Sequence, residues 1–258
     1  GLGTFEFLVD GEPAPRTPFA FIEANARLQV EHTITEEIFG LDLVALQLRI
    51  AKGETLQKLG LAKVPQRLPG RIAMQLRVNS ETMLADGSTK PTAGTIDRLR
   101  LPGGPGVRVD THAYDGYAIE PVYDSLLAKI IVSATGDDYA ALYRKGARAL
   151  DDLEVGGIET NAPFLSALLS SPDLQTHAVT TRFIDAHAAD LVAAATAIDA
   201  KRRRLPSKSA SSATQIWATS ENTITSPLPG SIVSVAVETG AAVPKGATLA
   251  IIASMKME

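Results

Sequence analysis

Alternating apolar and polar residues near the start of the chain predict two β-strands, at residues 3–10 and 19–31. The segment that joins them is rich in Gly and Pro, which predicts a long loop without regular structure. Thr33 and Glu36 then have the spacing of a capping box, and apolar residues at helical intervals follow them. We therefore expect a β-hairpin followed by two short helices.

The middle of the chain combines strand and helix patterns. Residues 72–78 and 107–110 alternate between apolar and polar side chains, and residues 121–132 are largely apolar, which predicts an antiparallel sheet. Helical spacing of apolar residues covers three later segments, at residues 137–150, 161–169 and 180–198. These patterns predict an α+β domain.

A change of composition marks the end of this domain. Ser, Ala and Thr account for ten of the 18 residues between Leu205 and Asn222, a composition typical of a mobile linker. The single tryptophan, Trp217, lies inside it, which leaves open whether this part docks on a neighbouring surface. Short β-like runs separated by turns follow from about Thr223, and they predict a small all-β module.

The composition excludes several classes of protein. With 258 residues, 45% of them hydrophobic, and a net charge of -4, the chain is neither disordered nor basic enough to attract nucleic acid. It has no cysteine, which excludes disulfides and thiolate sites, and no apolar run long enough to span a membrane. The sequence starts without Met or a signal-peptide pattern. We expect a fragment of a longer protein in the cytoplasm, or in the mitochondrial matrix if the source is eukaryotic.

The polar side chains of residues 23–31 are the strongest candidates for chemistry. On an extended strand, the odd-numbered residues project to one face and the apolar even-numbered residues project to the other. The polar face carries Glu23, Asn25, Arg27, Gln29 and Glu31. Successive side chains on it are about 6.6 Å apart and the two ends are about 26 Å apart, so the strand must bend or serve two adjacent subsites. A purely structural strand with one solvated face is the alternative interpretation.

Pairing of the two predicted strands brings another carboxylate to this array. If Val9 faces Ala20, the same register places Glu6 directly opposite Glu23. Two facing carboxylates repel each other unless a cation neutralises them. With Asn25 they form an oxygen donor set that suits Mg²⁺ or Mn²⁺, with nucleotide phosphates as the remaining ligands.

The next charged residues of the array suit anion chemistry. Arg27 offers a planar guanidinium group for a small oxyanion, and Glu31 offers an acceptor for the proton of that anion. The array therefore divides into a cation end and an anion end.

These residues match a known family. Residues 23–32, EANARLQVEH, preceded by residues 3–7, resemble the ATP-grasp active-site strands of biotin carboxylases. The resemblance continues through four further motifs, at residues 77–81, 102–108, 123–125 and 157–161. Residues 253–257, ASMKM, resemble the biotin attachment site of a biotinyl carrier domain, and residues 227–230 resemble the usual opening of that domain.

The resemblance implies an α+β fold, which is the C-terminal part of an ATP-grasp biotin carboxylase with an antiparallel sheet and helices, plus half of an all-β biotinyl carrier barrel. It implies four segments: the end of the ATP-grasp active-site domain at 1–38, the biotin carboxylase C-terminal domain at 39–198, a linker at 199–222 and a partial biotinyl or lipoyl-type carrier domain at 223–258.

The resemblance also implies ligands for ATP, its metal ion and biotin. Glu6, Glu23 and Asn25 would hold the Mg²⁺ or Mn²⁺ that bridges the ATP phosphates, so Glu6 and Glu23 are also ATP-binding residues. Lys256 would carry covalent biotin. A lipoyl carrier is the second interpretation of this lysine, but lipoyl sites usually have Asp before it, and here Met255 favours biotin.

Three residues would be catalytic in such an enzyme. Arg27 and the main-chain amides at Gln29 and Val30 would bind bicarbonate, and Glu31 would deprotonate it for attack on the γ-phosphate of ATP. Arg108 would stabilise the biotin enolate. Without the resemblance, an arginine that alternates in a strand after a turn is more often a surface residue.

The intact protein would then be the biotin carboxylase component of an acyl-CoA carboxylase in fatty acid metabolism. Its partners would be bicarbonate, a carboxyltransferase domain or subunit, biotin protein ligase and a further copy of itself, but neither nucleic acid nor a membrane. The fragment alone is expected to be inactive, because the glycine-rich lid and the ATP-gripping lysines of the family are missing from it. The alternatives are a pyruvate carboxylase-type chain, a non-catalytic carrier or docking module, and another ATP-grasp ligase, which leaves the motif around Lys256 unexplained.

Overall fold

The computed structural model describes residues 1–9, 19–63, 70–120, 123–204 and 231–253. The chain divides into two compact units, and both contain helices and strands. The first unit comprises residues 1–75 and 131–138, and the second comprises residues 76–130 and 139–258.

Four elements open the first unit in the predicted order. They are β1 (Thr4–Val9), β2 (Phe19–Asn25), α1 (His32–Phe39) and α2 (Leu43–Ala51). The side chain of Asp42 caps α2, because its carboxylate accepts a hydrogen bond from the Ala45 backbone N–H at 2.7 Å. The predicted pair of strands followed by two short helices is therefore confirmed.

The register of β1 and β2 is less simple than the sequence suggests. The strands are antiparallel, but Val9 faces Phe19 and not Ala20. The predicted pairing of Val9 is therefore wrong by one residue. A β-bulge at Ile22 adds one residue to β2 and compensates for this displacement further along the ladder. As a result, Glu6 faces Glu23 as predicted.

β2 is shorter than the alternating pattern predicts. The pattern continues to Glu31, but the strand ends at Asn25, and the backbone bends directly after it. The Gln29 carbonyl accepts a hydrogen bond from the His32 backbone N–H at 3.3 Å and lies 2.6 Å from the His32 ring Nδ1. The predicted strand is therefore too long, because the last residues of the array form the entry to α1. The bend that the length of the array required is present, directly after Asn25.

Thr33 and Glu36 do not form the predicted capping box. The N-cap lies two residues earlier than predicted, at Glu31, and no side chain forms a capping hydrogen bond there. Thr33 is buried, and its Oγ1 donates to Gln75 Oε1 at 2.5 Å. Glu36 is also buried, and its Oε1 accepts from the Leu43 backbone N–H at 2.8 Å. Both side chains link separate elements instead, because buried polar groups require partners.

The remaining strands are short, apart from two long ones. They are β3 (Arg71–Asn79), β4 (Glu81–Met83), β5 (Thr89–Pro91), β6 (Gly94–Thr95), β7 (Arg98–Arg100), β8 (Val107–Thr111), β9 (Ala118–Ile119), β10 (Leu126–Thr135), β11 (Glu154–Gly156), β12 (Ser231–Val235) and β13 (Ala250–Ala253). β3, β10 and β8 form a three-stranded sheet with β10 at its centre. Antiparallel pairs join β4 to β5, β6 to β9 and β7 to β11. Because β10 is central, most of its residues are buried, which explains its largely apolar sequence.

Four further helices complete the α+β fold. They are α3 (Tyr139–Asp152), α4 (Ala162–Leu169), α5 (Pro172–Gln175) and α6 (Phe183–Arg204). α6 continues past the predicted domain end at residue 198, because Lys and Arg favour the last turn of a helix. No helix in the described ranges combines the length and the apolar character that crossing a lipid bilayer requires.

The core of the second unit includes two apolar clusters. In one, Phe164 of α4 packs with Leu191 and Ala195 of α6, which lie four residues apart on one face of that helix. The other cluster contains Ile96 and Leu127. Phe164, Leu191, Ala195 and Leu127 lie in segments where apolar patterns predicted a helix or a strand, whereas Ile96 lies outside these segments.

The C-terminal β pattern is described only in part. β12 and β13 form an antiparallel pair with a bulge, and residues 231–253 form no closed barrel, so half a carrier barrel stays a prediction. Trp217 and most of the predicted linker lie outside the described residues, as do residues 227–230 and the proposed biotin site Lys256.

Leu150 tests the importance of the helix and sheet core. It is fully buried, at 0% exposure, so we expect Leu150→Ala to lower the free energy of unfolding by about 2–5 kcal/mol, through lost burial and a cavity. Urea unfolding followed by circular dichroism measures this change. Leu84→Ala is the control, since Leu84 is 41% exposed and its truncation should cost less than about 1 kcal/mol. Equal losses in the two variants would contradict the assigned core.

Candidate functional site

The first group of candidate residues lies on the β1–β2 hairpin. Glu6 and Glu23 face each other across the ladder. Asn25 donates a hydrogen bond through Nδ2 to Glu23 Oε1 at 2.6 Å. This contact follows from strand alternation, since residues two apart project to the same face. The three predicted metal ligands are therefore neighbours.

The donor set of this hairpin fits a hard divalent cation. Like charges directly opposite each other on a ladder repel, and the Asn25 amide offsets this for Glu23 alone. Carboxylate and amide oxygens are the ligands that Mg²⁺ and Mn²⁺ prefer. In the part of the chain that the structure describes, no group of three or more His, Cys, Asp or Glu side chains could hold a metal ion. Glu6, Glu23 and Asn25 thus offer part of a coordination shell, which phosphate oxygens are chemically suited to complete.

The second group lies in the turn between β2 and α1. Arg27 is exposed, and its Nη1 donates to the Leu28 carbonyl at 3.5 Å. Gln29 Oε1 is buried and has no hydrogen-bond partner among the described residues. Val30 and Glu31 form the turn itself, and Glu31 is the N-cap of α1. An anion at this turn would meet both the Arg27 guanidinium and the positive end of the α1 dipole.

The third group surrounds Arg108 on β8. Arg108 Nε and Nη2 donate to the two carboxylate oxygens of Asp110 at 2.8 and 2.9 Å. Lys129 of β10 places its Nζ 3.5 Å from Asp110 Oδ2. Burial raises the pKa of Asp110, but the hydrogen bonds and charge of Arg108, together with Lys129, outweigh it and hold that pKa below its ordinary value. The Asp110 carboxylate is therefore ionised at neutral pH.

Asp110 and Lys129 are not among the residues predicted from the sequence. Alternation along β8 is a signal for Asp110, because residues two apart on a strand share a face with each other. Lys129 has no comparable local signal. Only the pairing of β8 with β10 brings it to the carboxylate of Asp110.

Three of the motifs that carry the family resemblance meet in a polar network of the second unit. Glu81 accepts hydrogen bonds from Asn79 Nδ2 at 2.8 Å and from Ser125 Oγ at 3.0 Å. Asn161 Oδ1 accepts from the Asn79 backbone N–H at 2.9 Å, and its Nδ2 donates to the Arg77 carbonyl at 3.1 Å. These bonds connect the end of β3 to β4, to the segment before β10 and to the start of α4. These motifs are therefore linked to one another through hydrogen bonds.

Two family matches cover most of the described chain. Residues 1–59 match the ATP-binding domain of the carbamoyl-phosphate synthase L chain, and residues 75–186 match the biotin carboxylase C-terminal domain. The two matches support a biotin carboxylase fragment. The first match extends past the predicted boundary at residue 38, and the second lies inside the predicted range 39–198.

Known carboxylases are similar to this chain over much of its length. Pyruvate carboxylase of Komagataella pastoris is 44% identical over 184 residues, which are 71% of this chain and 15% of that protein. A solved single-chain, multi-domain long-chain acyl-CoA carboxylase is 42% identical and has a TM-score of 0.68. The match covers 100% of this chain and 24% of the carboxylase chain.

A third relative was solved with small molecules bound. It is the biotin carboxylase domain dimer of Hydrogenobacter thermophilus 2-oxoglutarate carboxylase, in complex with MgADP, ADP and bicarbonate. It is 35% identical and has a TM-score of 0.62. The match covers 73% of this chain and 39% of the relative's chain. The chain therefore spans less than half the length of each of these relatives.

The ionised state of Asp110 predicts how the Arg108 cluster responds to pH. Its folded pKa is below the ordinary 3.8, so its contribution to stability is fully present above about pH 4 and disappears as the pH falls through the folded pKa. We expect Asp110→Asn to lower the free energy of unfolding by a constant amount between about pH 5 and pH 8. The difference from the unchanged protein should shrink in stronger acid. Urea unfolding from stronger acid to about pH 8 measures this difference in the free energy of unfolding. A difference that shrinks toward pH 8 would contradict the lowered pKa of Asp110.

Proposed function

We propose that the chain is the biotin carboxylase part of a biotin-dependent carboxylase, which carboxylates carrier-bound biotin with ATP and bicarbonate. The observation that carries this proposal is the facing pair Glu6 and Glu23 with Asn25, followed by Arg27 and Glu31 at the entry to α1. In this order, cation ligands come before an anion site. Joining a nucleotide phosphate to bicarbonate requires both.

The facing carboxylates serve the nucleotide in this proposal. Glu6, Glu23 and Asn25 would hold Mg²⁺ or Mn²⁺ through their oxygens. When bound, the cation supplies positive charge that neutralises the ATP phosphates and stabilises the charge that builds up during phosphoryl transfer.

The turn before α1 serves bicarbonate. Arg27 and the main-chain amides at Gln29 and Val30 hold the anion, and Glu31 accepts its proton. A bicarbonate oxygen forms a bond to the γ-phosphorus while the bond between that phosphorus and the ADP oxygen breaks. The product, carboxyphosphate, decomposes to carbon dioxide and phosphate.

Arg108 serves the second half of the reaction. Its guanidinium group would stabilise the negative charge that develops on a ureido group as that group loses a proton to phosphate. Biotin, when bound, would supply this ureido nitrogen as the acceptor of carbon dioxide. Lys256 is the proposed attachment point of biotin.

An acyl-CoA is the proposed final acceptor of the carboxyl group. The similarity to the long-chain acyl-CoA carboxylase extends over the whole chain, whereas the similarity to Komagataella pastoris pyruvate carboxylase covers 71% of it. Pyruvate is the second candidate, because curated relatives at 42–45% identity are pyruvate carboxylases. In either case the proposed partners are a carboxyltransferase, biotin protein ligase and a second copy of the chain. The proposed compartment is the cytoplasm, or the mitochondrial matrix of a eukaryote.

Arg27 provides the test of this function in the full-length carboxylase that carries this sequence. We expect bicarbonate-dependent ATP hydrolysis and ATP-dependent incorporation of labelled bicarbonate into biotin. Arg27→Ala should lower both rates about 10²–10³-fold, the usual cost of removing one group that stabilises developing charge. The melting temperature should not change, because the Arg27 side chain is exposed.

Arg49→Ala is the matched control for this test. Arg49 is also an exposed arginine of the first unit, paired with Glu54 at 2.8 Å, and its loss should leave both rates unchanged. A full rate in Arg27→Ala would refute its role, and an unchanged protein that hydrolyses no ATP in response to bicarbonate would refute the function.

Glu23 provides a separate test of the cation site. We expect Glu23→Gln to weaken Mn²⁺ binding in the presence of ATP by at least about tenfold, because a charge pair near a protein surface is worth about 4 kcal/mol before screening. Electron paramagnetic resonance of free Mn²⁺ measures the affinity. Glu54→Gln, which removes a carboxylate on the same unit, is the control. Equal affinities in the two variants would place the cation elsewhere.

A further inference from the structure

Asp110 has no role in the proposed mechanism, yet it makes two hydrogen bonds to Arg108. The donors are Nε and Nη2 of the guanidinium group, and each bonds to a different carboxylate oxygen. A single hydrogen bond leaves a guanidinium group free to rotate, whereas two parallel bonds fix its plane as well as its position. The side chain of Arg108 is therefore oriented before any ligand arrives.

Lys129 approaches the same carboxylate from the neighbouring strand. Its Nζ lies 3.5 Å from Asp110 Oδ2, and its side chain is only 12% exposed. An isolated pair of Arg108 and Asp110 would be neutral and would attract an anion weakly. Lys129 therefore adds a second positive charge beside the carboxylate that holds Arg108.

We propose that Asp110 is a positioning residue for Arg108, and that Lys129 offsets the charge of the Asp110 carboxylate so that the oriented guanidinium group still stabilises developing negative charge. This inference rests on the proposed function of Arg108 in stabilising developing negative charge. Such stabilisation depends on donors that are fixed before the reaction begins, because reorientation during the reaction would cost energy.

In this proposal Asp110 affects only one half of the reaction. It acts through Arg108 alone, and ATP and bicarbonate chemistry does not use Arg108. The transfer of carbon dioxide to biotin does depend on it, since that step uses Arg108. The two half-reactions should therefore respond differently when the carboxylate of Asp110 is removed.

Asp110→Asn tests this difference in the full-length carboxylase. We expect kcat for biotin carboxylation to fall by about tenfold to a hundredfold, the usual cost of a displaced catalytic group. The KM for ATP and the bicarbonate-dependent ATP hydrolysis measured without biotin should stay within about twofold of their original values. An unchanged kcat for biotin carboxylation would overturn the proposal, and so would an equal fall in both activities, which indicates a general structural defect.

A double-mutant cycle identifies the residue through which Asp110 acts. If it acts through Arg108, adding Asp110→Asn to Arg108→Ala should cause no further loss of biotin carboxylation. A double variant whose loss of activity equals the product of the two single losses would overturn the proposal. Lys129→Gln should lower kcat for biotin carboxylation without releasing the guanidinium group, and an unchanged kcat would remove Lys129 from the proposal.

A comparable ion pair supplies the matched control. Arg98 Nε lies 3.1 Å from Glu154 Oε1, and both side chains are about as exposed as Arg108 and Asp110. Glu154→Gln should leave every rate unchanged.

An NMR readout does not require activity. The Arg108 Nε–H signal should be protected from exchange in the unchanged protein and in Glu154→Gln, but not in Asp110→Asn. If the unchanged protein lacks bicarbonate-dependent hydrolysis, the proposed function fails, and this signal still decides whether Asp110 holds Arg108. A signal that stays protected in Asp110→Asn would overturn the inference.

Discussion

Repulsion between two carboxylates is the constraint on which the candidate site depends. Glu6 and Glu23 face each other only because the bulge at Ile22 shifts the ladder by one residue. With the register that starts at Val9 continued unchanged, Glu6 would face Ile22, and no pair of carboxylates would form. The bulge therefore creates a local excess of negative charge, which the Asn25 amide offsets only in part. A divalent cation removes the repulsion, so cation binding and order in the hairpin favour each other.

The packing of the hairpin strengthens this dependence. An isolated two-stranded hairpin is marginally stable in water, and the apolar side chains of β1 and β2 are largely exposed. Phe7 contacts Phe19 and Phe21 edge to face, with ring centroids 5.7 and 5.8 Å apart, and these contacts stabilise the strands locally. The main cores lie elsewhere, in clusters such as that of Phe164 and Leu191. The geometry of the carboxylates is therefore more sensitive to charge than to the core.

Local patterns predicted the elements better than their ends. Strand alternation and helical spacing identified the hairpin, the helices and the facing pair Glu6 and Glu23. The same alternation overran the end of β2, because an array of odd-numbered polar residues looks identical whether it continues a strand or enters a helix. The capping box failed for a related reason, since Thr33 is buried against Gln75, which is distant in sequence. The contact of Lys129 with the Arg108 cluster also depends on strand pairing, which no local window contains.

The two candidate arginines, one in each unit, differ in how firmly their side chains are held. Arg27 is exposed and makes one long hydrogen bond, to the Leu28 carbonyl at 3.5 Å, so it keeps most of its rotamer freedom. Arg108 loses that freedom on folding, because Asp110 holds two of its nitrogens. An anion that is charged before it binds can itself order a mobile side chain. Charge that exists only during the reaction cannot do so, and the group that meets it has to be oriented in advance.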